Sequence, residues 1–389
     1  MRFSRATVAA AAGVAALAIA VPSAVAAADN GSAVPSDSLR ALAAKSGLRI
    51  GTAVDMSKLG TDATYTKIVD QQFSVVTAEN VMKWDTTEPS DGTYNYAPGD
   101  KLVANAEANG QLVRGHTLLW NNQIPSWLTT GVNNGTISNA QLLDILHQHI
   151  TSEVGHYKGK IWQWDVANEF IANSWDTPDA DGFVSNNFWV QHLGDGVLED
   201  AFRWAHEADP HALLMYNDYN ITGEDGTNAK FQATYNMIKR LQSEGVPIDG
   251  VGEQGHLDTQ YGFNPTVFQN DLKAYAGLGL KVAVTEADVR TFVNDAASQT
   301  PTDSLAQYAQ PEEFSEELKG CELVSACISF TAWGVYDGDS WIPGTFSGEG
   351  DGLLYDVNEQ PKPAYYALQS DLELAADAPK HNNNGNDGQ

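Results

Sequence analysis

Lys281-Val282-Ala283-Val284-Thr285-Glu286-Ala287-Asp288 is a short apolar, β-branched run that stops on two carboxylates. Just upstream, Pro265–Leu278 places apolar residues at spacings of three and four, the helical period. Pro265 suits a first helical turn, and Gly277 and Gly279 bracket the stop. The same unit recurs outward in both directions. Strand-like runs ending in polar residues occur at Leu48–Val54, Phe73–Thr77, Leu112–Leu119, Ile161–Ala167, Ala212–Asn217, Gly250–Glu253 and Ile328–Gly334. Helix-like stretches lie between them at Asn139–Tyr157, Gly196–His206, Ala229–Glu244 and Ser304–Leu318, and a last one carries Pro363, Tyr365, Tyr366 and Leu368. Strand alternating with helix implies a parallel sheet. Eight such units predict closure into a (β/α)8 TIM barrel, an α/β fold in a single domain. Single runs such as Ile161–Ala167 are ambiguous in isolation; count and alternation decide. An open doubly wound sheet is the alternative, but Val54-Asp55-Met56-Ser57-Lys58 after the first run is no Gly-rich phosphate loop.

The ends of the chain read differently from its middle. Arg2 and Arg5 precede an uncharged, Ala-rich run to Val21, and small-residue triplets follow Pro22. That layout predicts a secretory signal peptide over residues 1–28, hence a secreted, extracellular protein. Residues 29–38 read as a flexible leader, residues 39–374 as the catalytic domain, and the Asn- and Gly-rich residues 375–389 as a disordered tail. Cys321 and Cys327 are the only cysteines, and export predicts a disulfide between them. Lys and Arg number 22 against 50 Asp and Glu, a formal charge of −28. Such a chain repels phosphate backbones and anionic lipid heads, so nucleic-acid and membrane partners are excluded. A monomer without cofactor or metal is expected.

In a barrel of this kind chemistry sits at the C-terminal ends of the strands. Those ends carry Glu79, Asn80, Lys83 and Trp84; His116, Trp120 and Gln123; Asn168 and Glu169; Asp218 and Tyr219; Gln254 and His256; Glu286 and Asp288; and Trp333, Asp337, Asp339 and Trp341. No Ser or Cys nucleophile stands beside a base, and no His cluster suits a transition metal. Two carboxylates among amides and indoles indicate sugar chemistry: acid and nucleophile, hydroxyl partners, and flat faces for pyranose rings. Glu169 and Glu286 end runs four and seven, nearly opposite around an eight-strand ring. His256, beside Glu286 and Asp288, is placed to keep the nucleophile ionised.

These stretches resemble the family 10 glycoside hydrolases, mostly endo-1,4-β-xylanases. The matches are Thr77-Ala78-Glu79-Asn80-Val81-Met82-Lys83-Trp84-Asp85, Arg114-Gly115-His116-Thr117-Leu118-Leu119-Trp120, Trp164-Asp165-Val166-Ala167-Asn168-Glu169, Asn217-Asp218-Tyr219-Asn220, Gln254-Gly255-His256, Val284-Thr285-Glu286-Ala287-Asp288, and Trp333-Gly334-Val335-Tyr336-Asp337 through Trp341. The resemblance implies a retaining mechanism on xylan or xylo-oligosaccharides, with Glu169 as acid/base and Glu286 as nucleophile. It implies that Asn168 meets the 2-hydroxyl at the cleavage site and that Glu79, Asn80 and Lys83 bind the next sugar toward the non-reducing end. His116, Gln254, His256, Trp333 and Trp341 would frame the sugar being cleaved, with Trp120 supporting that wall. Gln123 and Tyr219 are assigned to substrate on the same rim, and Asp288 to support. The Cys321–Cys327 pair also resembles a bridge common in the family. Two departures bear on substrate preference: Asn121 stands where His is usual, and Tyr336 where Arg is common. A glycosylated saponin or a β-glucan is the alternative substrate, and a non-catalytic glycan-binding barrel the rival from another class.

Overall fold

The computed structural model describes residues 34–223 and 228–377. The expected signal peptide, residues 29–33 of the leader and residues 378–389 of the tail lie outside them. Eight strands form the barrel: β1 (Arg49–Val54), β2 (Val75–Ala78), β3 (Leu112–Trp120), β4 (Gln163–Asn168), β5 (Leu213–Asp218), β6 (Gly250–Glu253), β7 (Lys281–Phe292) and β8 (Cys327–Ala332). Each pairs in parallel with the next, and β8 returns to β1 through Ile50↔Phe330, so the sheet is closed. This is the (β/α)8 barrel predicted from the alternation.

β4 is buried along its whole length, which is why Gln163–Asn168 reads as a continuous run rather than an alternating one. Its outward residues meet helices. Trp164 packs so close to Gly115 of β3 that a side chain there would collide with the indole ring. The helices follow their local signals. Asn139–His156 opens on a reciprocal capping box between Ser138 and Gln141. Pro265–Gly277 starts with its proline in the first turn, capped by Asn264. Helices at Leu39–Ser46, Ala63–Gln72 and Ala97–Ala108 add to those read from the sequence. The first begins at Ser38, a buried residue whose side chain accepts from the Ala41 N–H. The Asp37 carbonyl accepts a bond from Gln369 on the final helix, Pro363–Asp377, so the end of the leader is tied to the domain, and residues 375–377 of the expected tail continue that helix.

β7 is longer than the run Lys281–Thr285. Its extension pairs with His256–Asp258 on one side and with Glu349–Gly350 on the other. Glu286 and Asp288 therefore sit within a strand, held by backbone hydrogen bonds from both flanks. Cys321 and Cys327 are joined in a disulfide linking the helix Ala306–Glu322 to the start of β8. Among the described residues no helix is long and apolar enough to cross a membrane.

Candidate active site

The upper barrel interior is polar, and its side chains hold one another in place. Arg114 of β3 donates to Asp165 of β4 at 2.6 Å, both fully buried. The second Asp165 oxygen lies 2.8 Å from His116 Nδ1. His116 Nδ1 is in turn 3.9 Å from Glu286. His116, Asp165 and Glu286 offer ligand atoms within 4.8 Å of one another. Arg114 already neutralises Asp165 there, so His116 and Asp165 read as a charge network behind Glu286.

Glu286 is nearly inaccessible and takes two further contacts. Asn217 at the end of β5 donates to Oε1 at 2.7 Å, and His256 Nε2 lies 3.4 Å from Oε2. The other His256 nitrogen is 3.0 Å from Asp288, which also accepts from the Trp341 indole at 2.8 Å. Burial works to raise the Glu286 carboxyl. The His256 hydrogen bond and the charges of His116, His256 and Arg114 outweigh it and hold the group at about 2. For His256, burial favours the neutral ring, but Asp288 and Glu286 win and raise it to about 10. The imidazolium can then donate from both nitrogens at once.

Glu169 follows β4 in the left-handed region, at φ 59°. A non-glycine residue there costs roughly 1 kcal/mol, and the turn brings the carboxylate onto the rim. Trp120 donates its indole N–H to Oε2 at 2.9 Å and Gln254 donates to Oε1 at 2.9 Å. Both partners are neutral. Burial, with the charges of Asp218 and Glu286, raises this carboxyl above its ordinary value despite those bonds.

Asn168 joins the two glutamates. Its Oδ1 accepts from Asn217 at 2.8 Å and from Gln254 at 3.4 Å, the same amides that hold Glu286 and Glu169. Its Nδ2 is buried with no partner among the described residues. That leaves one fixed donor for a ligand hydroxyl.

The expected wall is assembled on the β2 and β8 side. Lys83 Nζ donates to Asn80 at 3.1 Å and lies 5.0 Å above Trp120 and 5.9 Å above Trp333. Asn80 bonds Glu79 at 3.3 Å. Burial, with Asp339 and Asp55 nearby, pushes Glu79 to about 7. Trp333 stands edge-on to His116, at 5.1 Å between centroids, and Trp341 lies 4.9 Å from His256. Tyr219 accepts from Asn173 at 2.8 Å. Gln123 contributes through its backbone carbonyl, which accepts from the Asp85 N–H and braces the loop after β2.

Several supports were not singled out from the sequence. Behind Lys83, Trp84 is sandwiched between His149 at 3.8 Å and Trp189 at 5.3 Å, rings parallel within 5°. Trp189 donates to the Trp120 carbonyl at 2.7 Å, so this stack props Trp120 of the expected wall. Burial lowers His149 to about 3, which keeps it neutral. His149 and Glu153 stand four apart on one helix, a spacing visible in the sequence. The two departures are structural: Asn121 accepts from the Phe188 N–H at 2.6 Å, and Tyr336 packs edge-on against Tyr65 at 6.2 Å.

Comparison with known proteins agrees with this geometry. The model of glycosyl hydrolase family 10 matches residues 38–371. An endo-1,4-beta-xylanase of Agaricus bisporus is 38% identical over 333 residues, 85% of this chain and 93% of that protein. Native xylanase 10B from Thermotoga maritima superposes with a TM-score of 0.78 at 38% identity, covering 87% of this chain and 99% of that one. Xylanase 10B from Thermotoga petrophila RKU-1, solved in complex with xylobiose, gives 0.79 at 38% identity, covering 87% and 98%. With a barrel closed in this order and two glutamates held in opposite electrostatic settings on its rim, the chain belongs to glycosyl hydrolase family 10.

Proposed function

We propose that this protein is a secreted endo-1,4-β-xylanase that cleaves xylan with retention of configuration. The observation carrying the reading is the split between two rim carboxylates: Glu286 held ionised, at about 2, and Glu169 raised by burial among neutral partners. One group is thus a nucleophile and the other an acid at the same pH.

In the first step Glu286 attacks the anomeric carbon as Glu169 gives its proton to the departing oxygen. The bond to the leaving sugar breaks and a glycosyl ester of Glu286 forms. That ester carries no charge, so one influence that raised Glu169 disappears and the group, having given up its proton, stays ionised and free to act as a base. Glu169 then takes a proton from water, which attacks the same carbon and releases the sugar from Glu286. Two inversions leave the configuration retained. Asn168, its Oδ1 tied on two sides, points its free N–H toward the 2-hydroxyl, where a bond tightening in the transition state contributes most. Glu79, Asn80 and Lys83 hold the adjoining sugar on the non-reducing side. Xylan suits the wall through its relatives: those compared above are named xylanases, and the Thermotoga petrophila structure holds xylobiose.

The test is release of reducing ends from xylan, cellulose and a saponin in parallel, with proton NMR of the first product formed. Release from xylan with the β-anomer appearing first supports the reading. The α-anomer first overturns retention, and release from cellulose or saponin alone overturns the substrate.

A further inference from the structure

β7 runs on past Glu286, and the two-residue period of a strand puts Glu286, Asp288 and Arg290 on one face. Glu286 meets His256, and Asp288 meets both His256 and Trp341. Arg290, the next residue on that face, makes none of those contacts, yet its side chain is largely buried.

The ladder beside it repeats one pairing. His256 stands opposite Asp288, and Asp258 opposite Arg290. Arg290 Nη2 lies 3.0 Å from Asp258. On the other flank its Nε donates to Glu349 at 2.7 Å. Glu349 belongs to Glu349–Gly350, the short strand antiparallel to the end of β7. One acid would suffice to neutralise the guanidinium. Two acids on opposite flanks, met by one planar fork, tie two segments to the same strand.

The flat face of the guanidinium is used as well. Its Cζ lies 4.1 Å from the centroid of the Phe346 ring, within cation–π range. Phe346 closes the short helix Ile342–Thr345, its N–H donating to the Ile342 carbonyl at 2.8 Å, and Trp341 opens that turn. The two rings meet edge-on, with 5.4 Å between centroids and 73° between planes. Trp341 in turn sends its indole N–H to Asp288 Oδ2 at 2.8 Å, the oxygen that faces His256 Nδ1. A continuous path of contacts thus runs from Arg290 through Phe346 and Trp341 back to Asp288. Within this segment Ile342 is buried, while Gly344, Thr345, Ser347 and Gly348 are exposed. Phe346 and Glu349 anchor its far end, and both lean on Arg290.

We infer that Arg290 is a positioning residue for cleavage: it clamps the segment from Trp341 to Gly350 onto β7 and so sets the Trp341 indole against Asp288 and the sugar being cleaved. The inference rests on the proposed xylanase reading and adds to it a residue that acts through Trp341. A wall displaced by about 1 Å beside the reacting sugar costs up to about 10²-fold in rate, so a clamp at this distance has kinetic consequences.

The experiment is a double-mutant cycle on nitrophenyl β-xylobioside. Arg290→Ala is made in the wild type and in Trp341→Ala. Active sites are counted with a dinitrophenyl 2-fluoro-β-xylobioside, which releases one dinitrophenolate for each ester formed on Glu286, so misfolded enzyme does not enter the rates. In the wild type Arg290→Ala lowers kcat/KM about tenfold. In Trp341→Ala, which has no indole left to position, the same change lowers it less than about twofold. Phe346→Ala, which leaves both ion pairs in place, follows the same pattern and carries the test if Arg290→Ala fails to fold. A residue that only stabilises the barrel gives the same loss in both backgrounds. Equal losses in the two backgrounds, or no loss in the wild type, overturn the assignment while leaving the xylanase reading intact. A wild type that releases no sugar from xylan removes that reading and the assignment together.

Discussion

Replacing His256 by Asn tests the electrostatic design at its centre. The wild-type Glu286 carboxyl is held at about 2 against an ordinary 4.5, although burial pushes it upward. That displacement corresponds to about 3 kcal/mol in favour of the ionised form. The amide introduced by His256→Asn would keep a polar side chain of similar reach but carry no charge. With the imidazolium gone, His116 and Arg114 remain as the cationic influences on Glu286, and burial is opposed less. The acid limb of kcat/KM on nitrophenyl β-xylobioside is expected to rise by about one to three pH units. An aryl leaving group needs little protonation, so this limb reports the nucleophile in the free enzyme. The pair also leaves a mark on stability. A depressed carboxyl contributes stability above its unfolded value of 4.5, lost as pH falls through about 2. The raised histidine contributes below its unfolded value of 6.5, lost as pH rises through about 10. These are one interaction seen from two ends, counted once, and it is fully present between 4.5 and 6.5. The thermal midpoint of His256→Asn should therefore fall furthest below wild type in that window. An acid limb that stays in place while only the plateau drops would refute the electrostatic reasoning and leave His256 a purely steric role.

Glu169→Ala should lower kcat on xylan by about 10²–10⁴-fold and on nitrophenyl β-xylobioside far less; equal losses on both would remove the acid role. Glu286→Ala should abolish turnover on both, and azide should not restore a retained product from xylan, which NMR of the anomers can check. Replacing Cys321 and Cys327 together by Ser should cost about 2 kcal/mol, the chain-entropy value for so short a loop, read as a lower urea midpoint with unchanged slope. Gly115→Ala should destabilise by at least roughly 1–3 kcal/mol, because the new Cβ meets the buried Trp164 ring and neither strand can move without opening the barrel; an unchanged urea midpoint would show the β3–β4 contact to be looser.

The barrel was legible because its strands are buried on both faces and stop on polar residues, so each left a short apolar run with a marked end. The rim was legible for the same reason: Glu169 directly follows a strand, and the run Lys281–Thr285 breaks at Glu286. What was hidden depends on partners far away in the chain. The continuation of β7 to Phe292 needs His256–Asp258 and Glu349–Gly350 beside it, and no local pattern announces either. Lys230 reads as an ordinary helical lysine until the fold buries it against Asp218 and Asn173. Asp165 and Arg114 did leave a trace, as charges inside otherwise strand-like runs. A buried charge needs a partner, and pairing these two across neighbouring strands would have located the charge network beneath Glu286.

The two glutamates share a rim and a set of amides, and both are strongly desolvated, so burial alone would raise both. What separates them is the charge type of their neighbours. Glu286 faces His256 and His116, with Arg114 behind, while Asp165 and Asp288 stand one layer further back and keep those cations in place. Among the described residues, Glu169 takes its hydrogen bonds from an indole and an amide, which satisfy its oxygens without repaying the loss of water. The acids behind the cations are therefore as necessary as the cations. Asp288 raises His256 far enough to stay charged through neutral pH, and Trp341 and the extended β7 fix Asp288 in turn. A glycosidase built on two identical side chains needs such an asymmetry of second partners, since nothing in the glutamates themselves distinguishes acid from nucleophile.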